Sequence, residues 1–109
     1  MDAILAKGKY TLLFHTGKGL NHYDLVLEGN DLCPTFQFVN KELTLGKRIK
    51  DHQVKYLTFE GVISPEKGTV SIIEQGEFKL TDNHLKLKSI QNRYSFICNA
   101  EYSLLNLIN

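Results

Sequence analysis

Along most of this chain apolar and polar residues alternate with a period of two, and no useful length of it repeats at helical spacing. The clearest case is His22-Tyr23-Asp24-Leu25-Val26-Leu27-Glu28. Tyr23, Leu25 and Leu27 point to one side of the strand this predicts, and His22, Asp24, Val26 and Glu28 to the other. Upstream, residues 9–15 are rich in strand formers, and Thr16-Gly17-Lys18-Gly19 turns the chain back, which predicts a first hairpin. Residues 2–7 read as a short helical turn or an arm, ended by Gly8. Asn30 and Asp31 break the second strand, Pro34 limits what precedes the next, and residues 35–39 form a third. Residues 43–49 follow, where Gly46 suggests a bulge or a sharp bend of the kind that closes barrels.

The second half reads the same way. Residues 54–63 predict a strand before Ser64-Pro65-Glu66-Lys67-Gly68 turns the chain. Residues 69–74 and 77–81 predict two more, linked tightly at Gln75-Gly76. Asp82-Asn83 suits a two-residue hairpin turn into the alternating residues 84–88, and a last strand covers residues 94–98. The tail, with Leu104, Leu105, Leu107 and Ile108, fits either a closing strand or a final helical turn. Eight or nine short antiparallel strands without helices predict an all-β protein. Its expected form is a small closed or nearly closed antiparallel β-barrel of about eight strands.

Composition narrows the class. At 109 residues the chain is one domain, spanning 1–109, with room for a single core. Its 42% hydrophobic and 23% charged residues are those of an ordinary globular protein. No segment approaches the ~20 apolar residues that span a bilayer, so no membrane association is expected and the expected address is the cytoplasm. A net charge of +1 argues against wrapping nucleic acid over a large surface, and leaves room for recognition of a strand end. Between Lys41 and Lys55, five basic residues (Lys41, Lys47, Arg48, Lys50, Lys55) face Glu42 and Asp51. That local excess suits either a phosphate-facing surface or a solvated strand edge. Cys33 and Cys98 have no Cys-x-x-Cys spacing and read as core thiols.

His22 and Asp24 share one strand face roughly 7 Å apart along it, a separation one divalent cation can bridge, although a half-exposed polar face has the same spacing. No Ser-His-Asp or Cys-His arrangement is visible, the glycines at 17 and 19 lack phosphate-loop spacing, and His84 beside its turn reads as merely exposed.

The motif His22-Tyr23-Asp24-Leu25-x-Leu27-Glu28 resembles the signature of the 3′-phosphoesterase domain family of bacterial DNA ligase D. A second block, Asp51-His52-x-Val54-x-Tyr56-x-x-Phe59-Glu60-Gly61-Val62-Ile63, followed by Gly68-Thr69-Val70 and Gly76-Glu77-Phe78, is similar to that family's second half in the same order. The likeness runs from about residue 9 to about residue 98, with residues 29–46 matching poorly and shortened. It implies a β-barrel with its active site in a crescent-like groove, holding Mn²⁺ or another divalent metal through two His and one Asp. His22 and Asp24 match two of these ligands. His15 is the candidate for the third, one residue further upstream than the pattern expects, with the turn at residues 16–19 absorbing the difference. His52 and Tyr56 match the positions that contact phosphate, and are the implied catalytic pair.

The chain also departs from that pattern. Val26 stands where the family has a phosphate-clamping Arg, Thr44 where it has a basic residue, and Leu13 where it has a polar one. Arg48 is the expected substitute phosphate-binding residue, and an Arg placed at position 26 is expected to restore the missing clamp. The implied activity is that of a metal-dependent phosphodiesterase and phosphomonoesterase. It would remove a 3′-ribonucleotide or 3′-phosphate from DNA 3′ ends of a primer-template, as a monomer, with a DNA ligase or polymerase as further partner. The rival expectations are a catalytically weak or inactive binding module of the same fold, recognising phosphorylated DNA ends or a repair partner, and a barrel serving protein contacts alone.

Overall fold

A computed structural model describes residues 2–17, 19 and 21–108. The nine strands are β1 (Lys7–Thr16), β2 (His22–Leu27), β3 (Cys33–Phe38), β4 (Leu45–His52), β5 (Gly61–Ser64), β6 (Gly68–Thr81), β7 (His84–Lys88), β8 (Arg93–Cys98) and β9 (Leu104–Leu107). They pair antiparallel in the order β1-β2-β3-β4-β9-β8-β7-β6, and β1 also pairs with β6, so eight strands close into a barrel. β5 lies outside it, paired to β6 alone among the described strands. The expected architecture therefore holds. The tail is the closing strand, with β9 seated between β4 and β8.

Alternation explains the interior. Tyr10, Leu12, Leu25, Leu27, Phe36, Phe38, Phe78, Leu85, Leu87, Phe96 and Leu105 fill it, and each such Leu or Phe adds about 1.5–3 kcal/mol by leaving water. Residues 2–6 form an arm without regular structure, and its Ile4 and Leu5 pack against this core. Among the described residues these side chains pack together along the barrel axis, as in other small barrels.

Three local expectations need correction. Residues 54–63 are not one strand: Val54–Leu57 is a 3-10 turn, and only Gly61–Ser64 is extended. Gln75-Gly76 is not a link, because β6 runs unbroken for 14 residues. Gly76 is needed for another reason, since a Cβ there would stand 2.2 Å from the Lys88 carbonyl and 2.7 Å from the Tyr10 ring. Gly46 similarly makes room for the Phe38 ring, 2.4 Å from where its Cβ would be. The irregularity in β4 comes later, between the partners of Thr35 and Cys33. The turn expected at residues 16–19 includes Lys18, which lies outside the described residues.

A second, smaller core sits on the outer wall. Leu13, Val26, Cys33 and Val70 are buried there beneath Tyr56, Leu57, Phe59 and Ile63. The 3-10 turn and β5 thus form a cover, pinned by polar contacts. Thr11 Oγ1 and Gln75 Nε2 both donate to the Leu57 carbonyl, at 2.5 and 2.9 Å, and the Ile72 amide donates to Glu60 Oε1 at 2.7 Å. No helix among the described residues is long and apolar enough to cross a membrane.

Candidate metal centre

Strand register brings the histidines together. His15 and His22 are direct cross-strand partners, and Leu13 faces Asp24 one step further into the sheet. Residues in register share a face, so His15, His22, Asp24, Leu13 and Val26 all project from the outer wall. On β4, the four residues 49–52 oppose the three residues 33–35 of β3. This extra residue turns His52 outward, a common use of a bulge beside a site.

The four side chains converge at the rim of the outer core. His15 Nδ1 lies 3.1 Å from His22 Nε2 and 3.6 Å from Asp24 Oδ2, and His22 Nε2 lies 3.3 Å from Asp24 Oδ1. His15, His22 and Asp24 each offer one ligand atom, all within 4.8 Å of one another. His52 Nε2 approaches the same carboxylate, 3.8 Å from Oδ2.

These spacings fit a metal ion. Ligand bonds of about 2.1 Å require neighbouring donor atoms about 3.0–3.4 Å apart, in the range seen here. Asp24 is 2% exposed, and its Oδ1 accepts no hydrogen bond among the described residues. A buried carboxylate oxygen left this way is costly unless a cation satisfies it. The imidazoles are also oriented from behind. His15 Nε2–H donates to the Lys67 carbonyl at 2.5 Å, and His52 Nδ1–H donates to the Lys50 carbonyl at 3.0 Å. Each bond fixes a tautomer that turns the other nitrogen's lone pair towards Asp24, the arrangement metal-binding histidines usually have.

Burial alone would pull the His52 imidazole down. The facing Asp24 carboxylate, the Lys50 carbonyl and the charge of Asp51 together hold it above the ordinary histidine value. Tyr56 lies edge-on to the His52 ring at 5.5 Å and to Phe59 at 5.8 Å, while Lys55 Nζ sits 5.2 Å over the Tyr56 ring. His52 and Tyr56 are therefore neighbours across a strand end and a 3-10 turn, much closer than an extended strand would place them.

The remaining expectations find different surroundings. Arg48 pairs in register with Phe36 on the inward row, the face opposite Asp24. Its Nη2 donates to Asp51 Oδ1 at 3.0 Å and to the Asp2 carbonyl at 2.5 Å, so it ties the arm to β4 instead of facing the histidines. Burial alone would raise the Asp51 carboxyl, but the Asp2 amide and then Arg48 hold it below its usual range. Val26 and Leu13 are fully buried floor of the outer core, with no opening for a phosphate. His84 pairs with Thr81 and Ile97 on the far side of the barrel.

Lys67, the backbone anchor of His15, is not foreseeable from the sequence. A turn residue that acts through its carbonyl leaves no trace in side-chain pattern. Comparison with models of known protein families and with curated proteins finds no match to this chain.

Proposed function

We propose that the protein is a divalent-metal-dependent phosphoesterase that acts on 3′ ends of DNA, removing a terminal ribonucleotide or phosphate. The single observation that carries this reading is the convergence of His15, His22, Asp24 and His52, four residues from three strands, on one point of the outer wall. It is a site that the two resembling motifs would build only if they folded together. His15, His22 and Asp24 would hold the ion, with Mn²⁺ implied by the family likeness. Bound there, the ion supplies a Lewis acid that polarises a phosphoryl oxygen and neutralises charge as it develops.

The chain's own residues supply the rest. His52, with Nδ1–H held by the Lys50 carbonyl, presents Nε2 beside Asp24. That position suits it to pass a proton to a departing oxygen. Tyr56 fixes the His52 ring by edge contact, and Lys55 brings a cation over Tyr56 without entering the ligand set. The cover keeps water from the apolar side of the cluster, which strengthens each of these electrostatic contacts.

The test is an end-labelled primer-template bearing a 3′-phosphate or 3′-ribonucleotide, incubated with the protein and Mn²⁺. Mn²⁺-dependent release that disappears in His22→Ala and Asp24→Asn supports the reading, and no release by the native protein refutes it. A second reading, a module that binds phosphorylated ends without turnover, is favoured by the burial of Val26 and Leu13 where the family pattern has phosphate contacts. Saturable Mn²⁺-dependent binding of the 3′-phosphorylated end without release would select it.

A further inference from the structure

Away from the metal centre, strand pairing assembles a cationic surface that no single window of sequence reveals. On the outward face of β1, β6 and β7, Lys7, Lys79 and Lys86 are successive cross-strand partners. One step along, Lys9, Glu77, Lys88 and Arg93 form a parallel row across β1, β6, β7 and β8. Together with Glu28 these line a shallow groove. Six of the thirteen Lys and Arg residues thus stand with two of the twelve Asp and Glu, giving this face +4 in a chain of net charge +1. The rest of the molecule carries −3.

This face is electrostatically unsatisfied. All six cations are exposed, and none is within ion-pair distance of a carboxylate among the described residues. Like charges placed directly opposite one another across strands are destabilising, yet Lys7, Lys79 and Lys86 are aligned in that way, as are Lys88 and Arg93. A ligand with several spaced negative charges would relieve both rows at once. The rows lie about 6.8 Å apart, two residues along a strand, and neighbours within a row about 5 Å apart.

We infer that this face binds the phosphodiester backbone of a nucleic-acid strand. An acidic protein partner would need an apolar or aromatic anchor in the contact, and a membrane would need side chains to insert; the apolar residues of the groove's lining, Phe78, Leu87 and Tyr94, pack against the interior core, and the two outward rows are charged. Recognition by charge alone is how the sugar-phosphate backbone is held. Lys9 and His15 are six residues apart on β1, about 20 Å, so this surface is separate from the metal centre. The inference does not depend on what that centre does.

The experiment is anisotropy of a fluorescein-labelled 20-nucleotide single strand, in EDTA so that no metal contributes, at several salt concentrations. Four to six engaged phosphates predict a slope of log K against log salt of about −3 to −4. Lys79→Glu/Lys86→Glu and Lys88→Glu/Arg93→Glu should each weaken binding about tenfold or more. Lys41→Glu/Lys47→Glu changes the net charge equally, with Lys47 on β4 across the barrel from β6, and should have little effect. A duplex of the same length should also bind, while polyglutamate and phosphatidylserine vesicles should bind more weakly at equal charge. Unchanged affinity in both face variants, an equal loss in the Lys41/Lys47 variant, or tighter binding of polyglutamate or vesicles would each overturn the inference.

Discussion

Replacing Asp24 with Asn separates a metal site from a structural ion-pair cluster, because the two roles predict opposite signs. In metal-free buffer at pH 8.5, His15 and His52 face a carboxylate that is 2% exposed and has one oxygen without a hydrogen bond among the described residues. Removing that charge while keeping the shape should leave the protein at least as stable as the native form, and by up to about 1–3 kcal/mol more so. Mn²⁺ should reverse the order. At a hundred times the dissociation constant, binding adds about 2.7 kcal/mol to the native protein, a rise in Tm of about 10 °C at this size, and nothing to the variant.

The same pair of proteins carries a pH signature in EDTA. A histidine whose folded pKa lies above its unfolded value adds stability that is full below about 6.5 and is lost as pH rises through the folded value. His52 is raised, partly by Asp24, so the native protein should gain on Asp24→Asn as pH falls from 8 towards 6. Thermal melts at pH 6 and 8.5, with and without Mn²⁺, read all four quantities. A variant less stable than native by more than about 1 kcal/mol at pH 8.5 without metal, and shifted by Mn²⁺ as much as the native protein, would refute the assignment.

Two further outcomes follow from burial. Val26 is fully enclosed by the outer core, so Val26→Arg, which the family pattern suggests as a gain, should instead cost about 3–5 kcal/mol in urea unfolding and give no increase in phosphate release. Burial first, and then the hydrogen bond and charge of Glu74, push the Tyr10 hydroxyl well above the ordinary phenol value. A phenol raised on folding stabilises the protein below its unfolded pKa and loses that contribution above it. Stability should therefore fall as pH climbs past about 10, and less steeply in Tyr10→Phe.

Period-two alternation was enough to read the strands and the inward faces of β2, β3 and β7, because a side chain's direction in a strand depends only on its parity. It failed where parity is reset. The register shift in β6 between the partners of Leu12 and Leu13 leaves Glu74 facing the interior, where Tyr10 and Asn92 hold its carboxylate, and places Ile72 against the outer core. Nothing in the local sequence marks such a shift. The 3-10 turn at Val54–Leu57 cannot be told from strand by pattern, because four residues are too few to display a period. The direction of Arg48 is not legible for a related reason: which face of β4 is inward depends on Gly46 fitting beneath Phe38, a contact between distant positions. The histidines, by contrast, were legible because His15, His22 and Asp24 fall on two adjacent strands joined by a short turn.

The burial of Leu13 and Val26 ties the departures from the family pattern to the geometry of the site. Both form the floor on which Tyr56, Leu57, Phe59 and Ile63 pack, and Tyr56 in turn sets the His52 ring at 5.5 Å. Polar residues at those two floor positions would weaken the packing that holds the cover, since a buried polar group without a partner costs about 1–3 kcal/mol. On the family resemblance, the missing phosphate clamp and the fixing of His52 would both follow from one feature, the apolar outer core. On the proposed reading, transition-state charge would fall to the ion, His52 and the Lys55 region, with no arginine fork to orient the phosphate. Turnover should accordingly depend more on the metal and on position 52 than on any cation of the outer wall, and His52→Gln, which keeps a polar group but carries no proton, should reduce phosphate release far more than Lys55→Ala.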